Sequence, residues 1–167
     1  MNSRLSWRII VLSGASAMLS LDQLTKHWAL ASLGAVGATI ELAGPINLTL
    51  VLNRSSAFGL IPLYGEGSRW ALTALGVTAA VILLWCALRR STSPLNALGL
   101  AFICAGALGN ALDRLRLGAV VDLFDASKLG FVWVFNVADV SIDLGVTLIL
   151  VTSLVPLSGY RNVERNS

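Results

Sequence analysis

Residues 70–88 read WALTALGVTAAVILLWCAL and include no charged side chain. A helix of this length rises about 28 Å, close to the ~30 Å thickness of the hydrocarbon core of a bilayer. Similar apolar runs occupy residues 7–33, 95–112 and 137–157. The sequence therefore predicts an all-α membrane protein with four transmembrane helices.

The composition of the whole chain agrees with this prediction. Of 167 residues, 56% are hydrophobic and 13% are charged, and the mean hydropathy is +0.77. A soluble domain averages about 25% charged residues, so a water-soluble globule is excluded. The formal net charge of +3 is small and scattered, which argues against a nucleic-acid partner. We expect a single integral membrane domain over residues 1–167.

The distribution of basic residues predicts the orientation in the membrane. The amino-terminal segment, the link between the second and third spans, and the carboxyl-terminal tail hold six Lys or Arg and one acid, whereas the rest holds six and eight. The positive-inside rule then places both termini in the cytoplasm. A cleavable signal peptide is the rival interpretation of the first span, but the apolar pattern resumes through Trp28 without a cleavage site.

Two segments, 34–69 and 116–135, are predicted to lie outside the membrane. In the first, apolar Ile46, Leu48, Leu50 and Leu52 recur at every second position, which indicates short strands at the outer membrane face. Neither segment is long enough to form a domain of its own. The expected fold is thus a four-helix membrane protein with a small extracytoplasmic β-rich segment.

Depth along the predicted spans brings polar side chains from three helices into one layer near the outer surface. They are Asp22 and Lys26 in the first span, Asn110 and Arg114 at the end of the third, and Asp139 and Asp143 in the fourth. Ionisable side chains in a span are costly unless they are paired or face a cavity. Each has a structural alternative: a buried ion pair, an arginine near headgroups, or an acid at a helix amino terminus.

Asp122 and Asp139 are candidates for a catalytic pair. Two carboxylates held together share one proton, so one polarises a carbonyl while the other takes a proton from water. The chain has a single histidine, His27, and no HExxH sequence, which disfavours serine and zinc proteases. Cys86 and Cys104 lie 18 positions apart in apolar stretches and are expected to be core residues. We expect no metal or other cofactor.

Five blocks of the chain resemble bacterial lipoprotein signal peptidase, also called signal peptidase II, an intramembrane aspartyl protease family. They are LDQLTK at 21–26, Asn53 with AFG at 57–59, GALGNALDR at 106–114, VVDL at 120–123 and FNVAD at 135–139. Five blocks in the family's order are specific, although each alone is weak.

The resemblance implies a role for each polar residue. Asp122 and Asp139 match the catalytic pair, and Asp22 with Lys26 matches a supporting polar pair. Substrate-pocket positions are matched by Asn53, Asn110, Arg114 and Asn136. The implied substrate is a prolipoprotein with a diacylglyceryl cysteine, cut just before that cysteine. The implied location is the bacterial inner membrane, with the site near the outer face, lipid as surroundings and a monomeric enzyme.

The chain departs from the family pattern at two places. Asn53-Arg54 is followed by Ser55 and Ser56 where the family usually has a small pair with glycine. Serine adopts a positive φ less readily than glycine, so the turn expected after Asn53 is restricted. Asp143 matches no family role, and we expect it to be dispensable for chemistry. Two other functions remain open from the residues alone: a small ion- or proton-coupled transporter, and a non-catalytic assembly factor.

Overall fold

The computed structural model describes residues 3–55, 66–89 and 93–154 of the chain. These residues form four α-helices, α1 to α4, four short strands, β1 to β4, one short 3₁₀ helix and the loops between them. In chain order the elements are α1 (Ser3–Ser32), β1 (Thr39–Ile40), β2 (Asn47–Asn53), α2 (Glu66–Ala87), α3 (Pro94–Leu117), β3 (Val120–Asp125), a 3₁₀ helix (Ser127–Leu129), β4 (Val134–Phe135) and α4 (Val137–Leu154). α3 packs against each of the other three helices.

Three helices are long and apolar enough to cross a membrane. Among the described residues these are α2, α3 and α4. The fourth predicted span corresponds to α1, a helix of 30 residues. Its length is about 45 Å, sufficient for a bilayer, but buried Asp22 and Lys26 interrupt its apolar character. The crossing by α1 stays a prediction, and residues 155–157 of the predicted fourth span lie outside the described residues.

Small residues let α3 approach its neighbours closely. A Cβ atom on Gly106 would lie 2.3 Å from the carbonyl oxygen of Ala138 in α4, and one on Gly109 would lie 2.4 Å from Asp22 Oδ2 in α1. Close backbone approach at small residues is a general device of membrane helix packing. These two glycines therefore set the distance between the helices that carry the polar layer.

α3 extends further than the predicted span of 95–112. The helix continues to Leu117 and ends at Gly118, whose φ of 73° suits glycine and whose N–H donates to the carbonyl of Arg114. Arg69 of α2 also donates to the carbonyls of Arg114 and Leu115. Because these donors satisfy the last carbonyls, the additional turn is stable and Arg114 lies within the helix.

Both outer segments contribute to one antiparallel sheet of order β1-β2-β3-β4. The sequence pattern predicted the strand at β2, and the structure pairs it with β3 across a bulge between Leu48 and Val51. Buried Leu50, Val121 and Leu123 pack with Ala29 and Leu33 near the carboxyl end of α1. The sheet is thus attached to the end of the helices where α3 ends and α4 begins.

Candidate active site

Asp122 is held at the centre of the sheet by two amide donors. It lies on β3 and is 2% exposed. Asn136 Nδ2 donates to Oδ1 at 2.6 Å, and Asn53 Nδ2 donates to Oδ2 at 3.1 Å. Burial and, to a lesser extent, the negative charge of Asp139 together raise the pKa of Asp122 from 3.8 to about 6. A carboxyl group with this pKa retains its proton further toward neutral pH than an ordinary aspartate.

Asp139 is positioned by the start of α4. Asn136 precedes the helix, and its Oδ1 accepts the N–H of Asp139 at 3.0 Å, while Asp139 Oδ2 accepts the N–H of Asn136 at 3.3 Å. This reciprocal pair is a capping box. The remaining carboxylate oxygen, Oδ1, accepts Asn110 Nδ2 from α3 at 3.0 Å. The helix terminus therefore orients the carboxylate.

Asn136 links the two acids and is fully buried. Its Oδ1 is committed to the cap, so its Nδ2 is the group that reaches Asp122. Both acids line one cavity of about 500 Å³. The structure therefore brings Asp122 and Asp139, the two acids proposed from the sequence, to one site through Asn136, which contacts both.

Lys26 of α1 fixes the orientation of the Asn110 side-chain amide, which in turn donates a hydrogen bond to Asp139. Lys26 Nζ donates to Asn110 Oδ1 at 2.9 Å, so the opposite end of the amide, Nδ2, faces Asp139. Asn136 Nδ2 also approaches Asn110 Oδ1, at 3.3 Å. A reversed amide would turn its oxygen toward the Asp139 carboxylate and leave the Lys26 donor without an acceptor.

Asn53 and Arg114 form the side of the site next to β2. Asn53 Oδ1 accepts both the backbone N–H and the hydroxyl of Ser55, at 3.0 and 2.8 Å, which directs Nδ2 toward Asp122. Arg114 Nη2 donates to the carbonyl of Ser55 at 3.3 Å. Ser55, which belongs with Ser56 to the first departure from the family pattern, thus orients Asn53, and Ser56 lies outside the described residues.

A buried ionic cluster lies beside this network. Lys26 contacts Asp22 Oδ2 at 3.0 Å, forming the buried ion pair that the sequence left open as an alternative, and also Asp113 Oδ2 at 2.8 Å. Asp22 Oδ1 accepts the N–H of Ala138 in α4 at 2.8 Å. Sequence reasoning quoted Asp113 within a motif but assigned it no role. Its position three residues after Asn110, in the same polar layer, is the signal that was available.

The cavity wall is mainly apolar. It includes Ile46, Val120, Ala126, Leu129, Phe131, Trp133, Val134, Phe135, Val140 and Ile142 beside the polar groups. Asp143 also lines the cavity, one turn along α4 from Asp139, and its side chain is exposed. Within residues 3–55, 66–89 and 93–154, no three His, Cys, Asp or Glu side chains are grouped to hold a metal ion. The site thus combines two acids with an apolar compartment.

Comparison with known proteins identifies similar sequences over most of the chain. Residues 15–155 match the family model described as Signal peptidase (SPase) II. A lipoprotein signal peptidase of Caulobacter vibrioides is 41% identical over 144 residues, covering 84% of each chain. One of Ralstonia nicotianae is 42% identical over 135 residues, covering 80% of this chain and 78% of the relative.

Two solved structures share the fold. Both are bacterial membrane enzymes determined by the in meso method, one at 2.3 Å and the other at 1.9 Å resolution. The first has a TM-score of 0.75 and 27% identity, covering 87% of each chain. The second has a TM-score of 0.74 and 26% identity, covering 88% of this chain and 94% of the other.

Proposed function

Because the chain belongs to the signal peptidase II family, we propose that it is an aspartic endopeptidase that removes signal peptides from prolipoproteins. The observation that carries the mechanism is the pair Asp122 and Asp139 in one cavity, linked by Asn136. A proton-coupled transporter is not favoured, since the relatives are peptidases.

The substrate we propose is a prolipoprotein whose cysteine carries a diacylglyceryl group, cut just before that cysteine. The apolar wall of the cavity suits acyl chains and the flanking apolar peptide, while the polar end presents the acids to one peptide bond. Asn53, Asn110 and Arg114 line that end and are the proposed substrate-pocket residues. Asn136, the fourth residue predicted for the pocket, is fully buried, does not line the cavity and contacts both acids.

In the proposed mechanism, Asp122 begins protonated and Asp139 ionised. Asp139 accepts a proton from a water molecule as the water oxygen attacks the scissile carbonyl carbon, and Asp122 donates its proton to the carbonyl oxygen. The resulting diol collapses as Asp122 recovers that proton, the C–N bond breaks, and the leaving amine takes the proton from Asp139. The raised pKa of Asp122 supports its assignment as the acid.

We also propose that α1 is the fourth span. Trp7 and Trp28 lie toward its two ends, as expected of residues at membrane interfaces. In this proposal the protein spans the bacterial inner membrane with both termini in the cytoplasm, and the sheet and the two acids lie near the outer face of that membrane. Asp22 and Lys26 then face other helices rather than lipid, and the protein acts as a monomer surrounded by lipid.

The decisive experiment measures cleavage of a diacylglyceryl-modified precursor by the purified protein. We expect Asp122→Asn and Asp139→Asn each to lose cleavage by at least ~10³-fold, because each removes a group that transfers a proton. Chelators should have no effect.

Asp125→Asn is the matched control. Asp125 lies on the same strand, outside the cavity, where it accepts hydrogen bonds from Thr49 and Ser127. Its variant should cleave normally. Cleavage that survives either Asp122→Asn or Asp139→Asn would remove the catalytic assignment.

A further inference from the structure

We propose that Asp113 is a positioning residue that fixes the positions of both proposed catalytic acids through the residues it contacts. This inference rests on the proposed function. Asp113 lies on α3, is 3% exposed and does not line the cavity. It therefore acts through other residues rather than on the substrate.

The first connection runs to Asp122. Asp113 Oδ2 accepts the backbone N–H of Val121, the residue before Asp122, at 3.1 Å. Val121 is fully buried, so this N–H cannot turn to water for a partner. The bond attaches β3 to α3 one residue from the catalytic carboxyl group. It fixes where the strand presents Asp122.

The second connection runs to Asp139 through Lys26 and Asn110. The same oxygen, Asp113 Oδ2, contacts Lys26 Nζ at 2.8 Å. The ammonium group has three N–H donors, and they meet three acceptors: Asp113, Asp22 and Asn110 Oδ1. Because all donors are used, Lys26 is held in one place, and it sets the amide direction of Asn110 toward Asp139.

The geometry thus makes one carboxylate oxygen the common point of both connections. Asp113 Oδ1 is itself held by Gln23 Nε2 at 3.2 Å, so the carboxylate cannot rotate freely. Asp22 does not duplicate this arrangement. It contacts Lys26 and the Ala138 N–H, but the contact with β3 belongs to Asp113.

The test separates the catalytic step from binding by measuring kcat and KM for the diacylglyceryl-modified precursor. We expect Asp113→Ala to lower kcat by ~100-fold with KM within about twofold, since a small misplacement of reacting groups has an effect of this size. Asp113→Asn keeps an oxygen that accepts from Val121 and Lys26 but loses the negative charge opposite Lys26, so it should restore most of kcat while remaining ~5-fold below the parent.

Ser141→Ala provides the structural control. Ser141 is buried on α4, and its hydroxyl donates to the Phe102 carbonyl of α3 at 2.8 Å, so the variant loosens helix packing without touching the acids. Its melting temperature should fall while kcat stays within about twofold of the parent.

The proposal is overturned if Asp113→Ala lowers kcat no more than Ser141→Ala does, or if its whole effect is a raised KM. Should Asp113→Ala fail to fold, Asp113→Asn decides: an unchanged kcat overturns the proposal, and a ~5-fold loss at unchanged KM supports it. Failure of the proposed function is distinguishable, because the parent protein and Asp125→Asn would then not cleave either.

Discussion

At the scale of single residues, amide side chains determine how the two acids meet. Asn136 closes the α4 cap with its oxygen and donates its nitrogen to Asp122, and Asn110 is oriented by Lys26 in the same way. An amide presents a donor and an acceptor at opposite ends, so fixing one end fixes the other. Asparagine is therefore suited to each of these positions, where a carboxylate would repel the acids.

The raised pKa of Asp122 predicts a pH dependence. Its pKa is raised from 3.8 to about 6 by burial and by Asp139, and the charges facing it include Lys26 and Arg114. The proposed acid is protonated below this pKa and loses its proton above it. We therefore expect kcat/KM, which reports the free enzyme, to fall as pH rises through about 6. A kcat/KM that climbs through this range to a plateau would show that Asp122 is not the acid.

Asp143 allows a test of how many acids the reaction needs. It lines the cavity but makes no hydrogen bond to Asp122, Asp139 or their amide partners among the described contacts. We expect Asp143→Asn to cleave the modified precursor within ~10-fold of the parent, since proton transfer needs only two carboxyl groups. Abolished cleavage by a normally folded Asp143→Asn protein would contradict this.

At the scale of elements, α3 is the central helix against which the other elements of the site pack. It contacts all three other helices and β3, and its carboxyl half carries Asn110, Asp113 and Arg114. The spacing to α1 and α4 depends on positions where only a hydrogen atom fits. Side-chain size on α3 therefore affects the position of acids on other elements.

Gly106→Ala should reduce both stability and cleavage. The added methyl group would meet the Ala138 carbonyl at 2.3 Å, and backbone atoms cannot move aside cheaply, so α4 and Asp139 must shift. We expect a loss of about 1–3 kcal/mol in the free energy of unfolding and a ~10²-fold drop in cleavage.

Gly67→Ala is the control, because nothing lies within 4 Å of its added Cβ at the start of α2. It should leave cleavage unchanged and stability equal or slightly higher, since alanine favours helix. Equal effects of the two substitutions on melting temperature and activity would refute the close-packing account.

At the scale of the whole molecule, the sheet and the polar ends of three helices lie together. The carboxyl end of α3, the amino end of α4 and the carboxyl end of α1 all adjoin the sheet. Under the proposed orientation the site lies at the outer membrane surface, where we propose that the emerging peptide meets water while its acyl chains stay in lipid.

The proposed orientation can be measured in intact cells. In a protein without Cys86 and Cys104, a membrane-impermeant maleimide should label Lys128→Cys, which is exposed beside the sheet, but should label Arg89→Cys only after permeabilisation. The opposite labelling pattern would place the site at the cytoplasmic face.

The residues that could be predicted from the chain alone are those with a local signal. Apolar runs indicated the helices, alternation indicated β2, and the motif blocks indicated Asp122, Asp139 and their neighbours. The positioning role proposed for Asp113 was not predicted, because it depends on partners on α1 and β3 that are distant in sequence.

The sequence by itself determined that this is a mostly helical membrane protein and predicted two functional acids, because hydropathy and residue chemistry are properties of the chain. Only the tertiary structure decided that both outer segments form one sheet and that Asn136 links the acids. It also decided that Lys26 is shared between two carboxylates. The physical reason is that hydrogen bonds and ion pairs depend on distance in space, and the helices bring together groups separated by up to 116 positions in the chain.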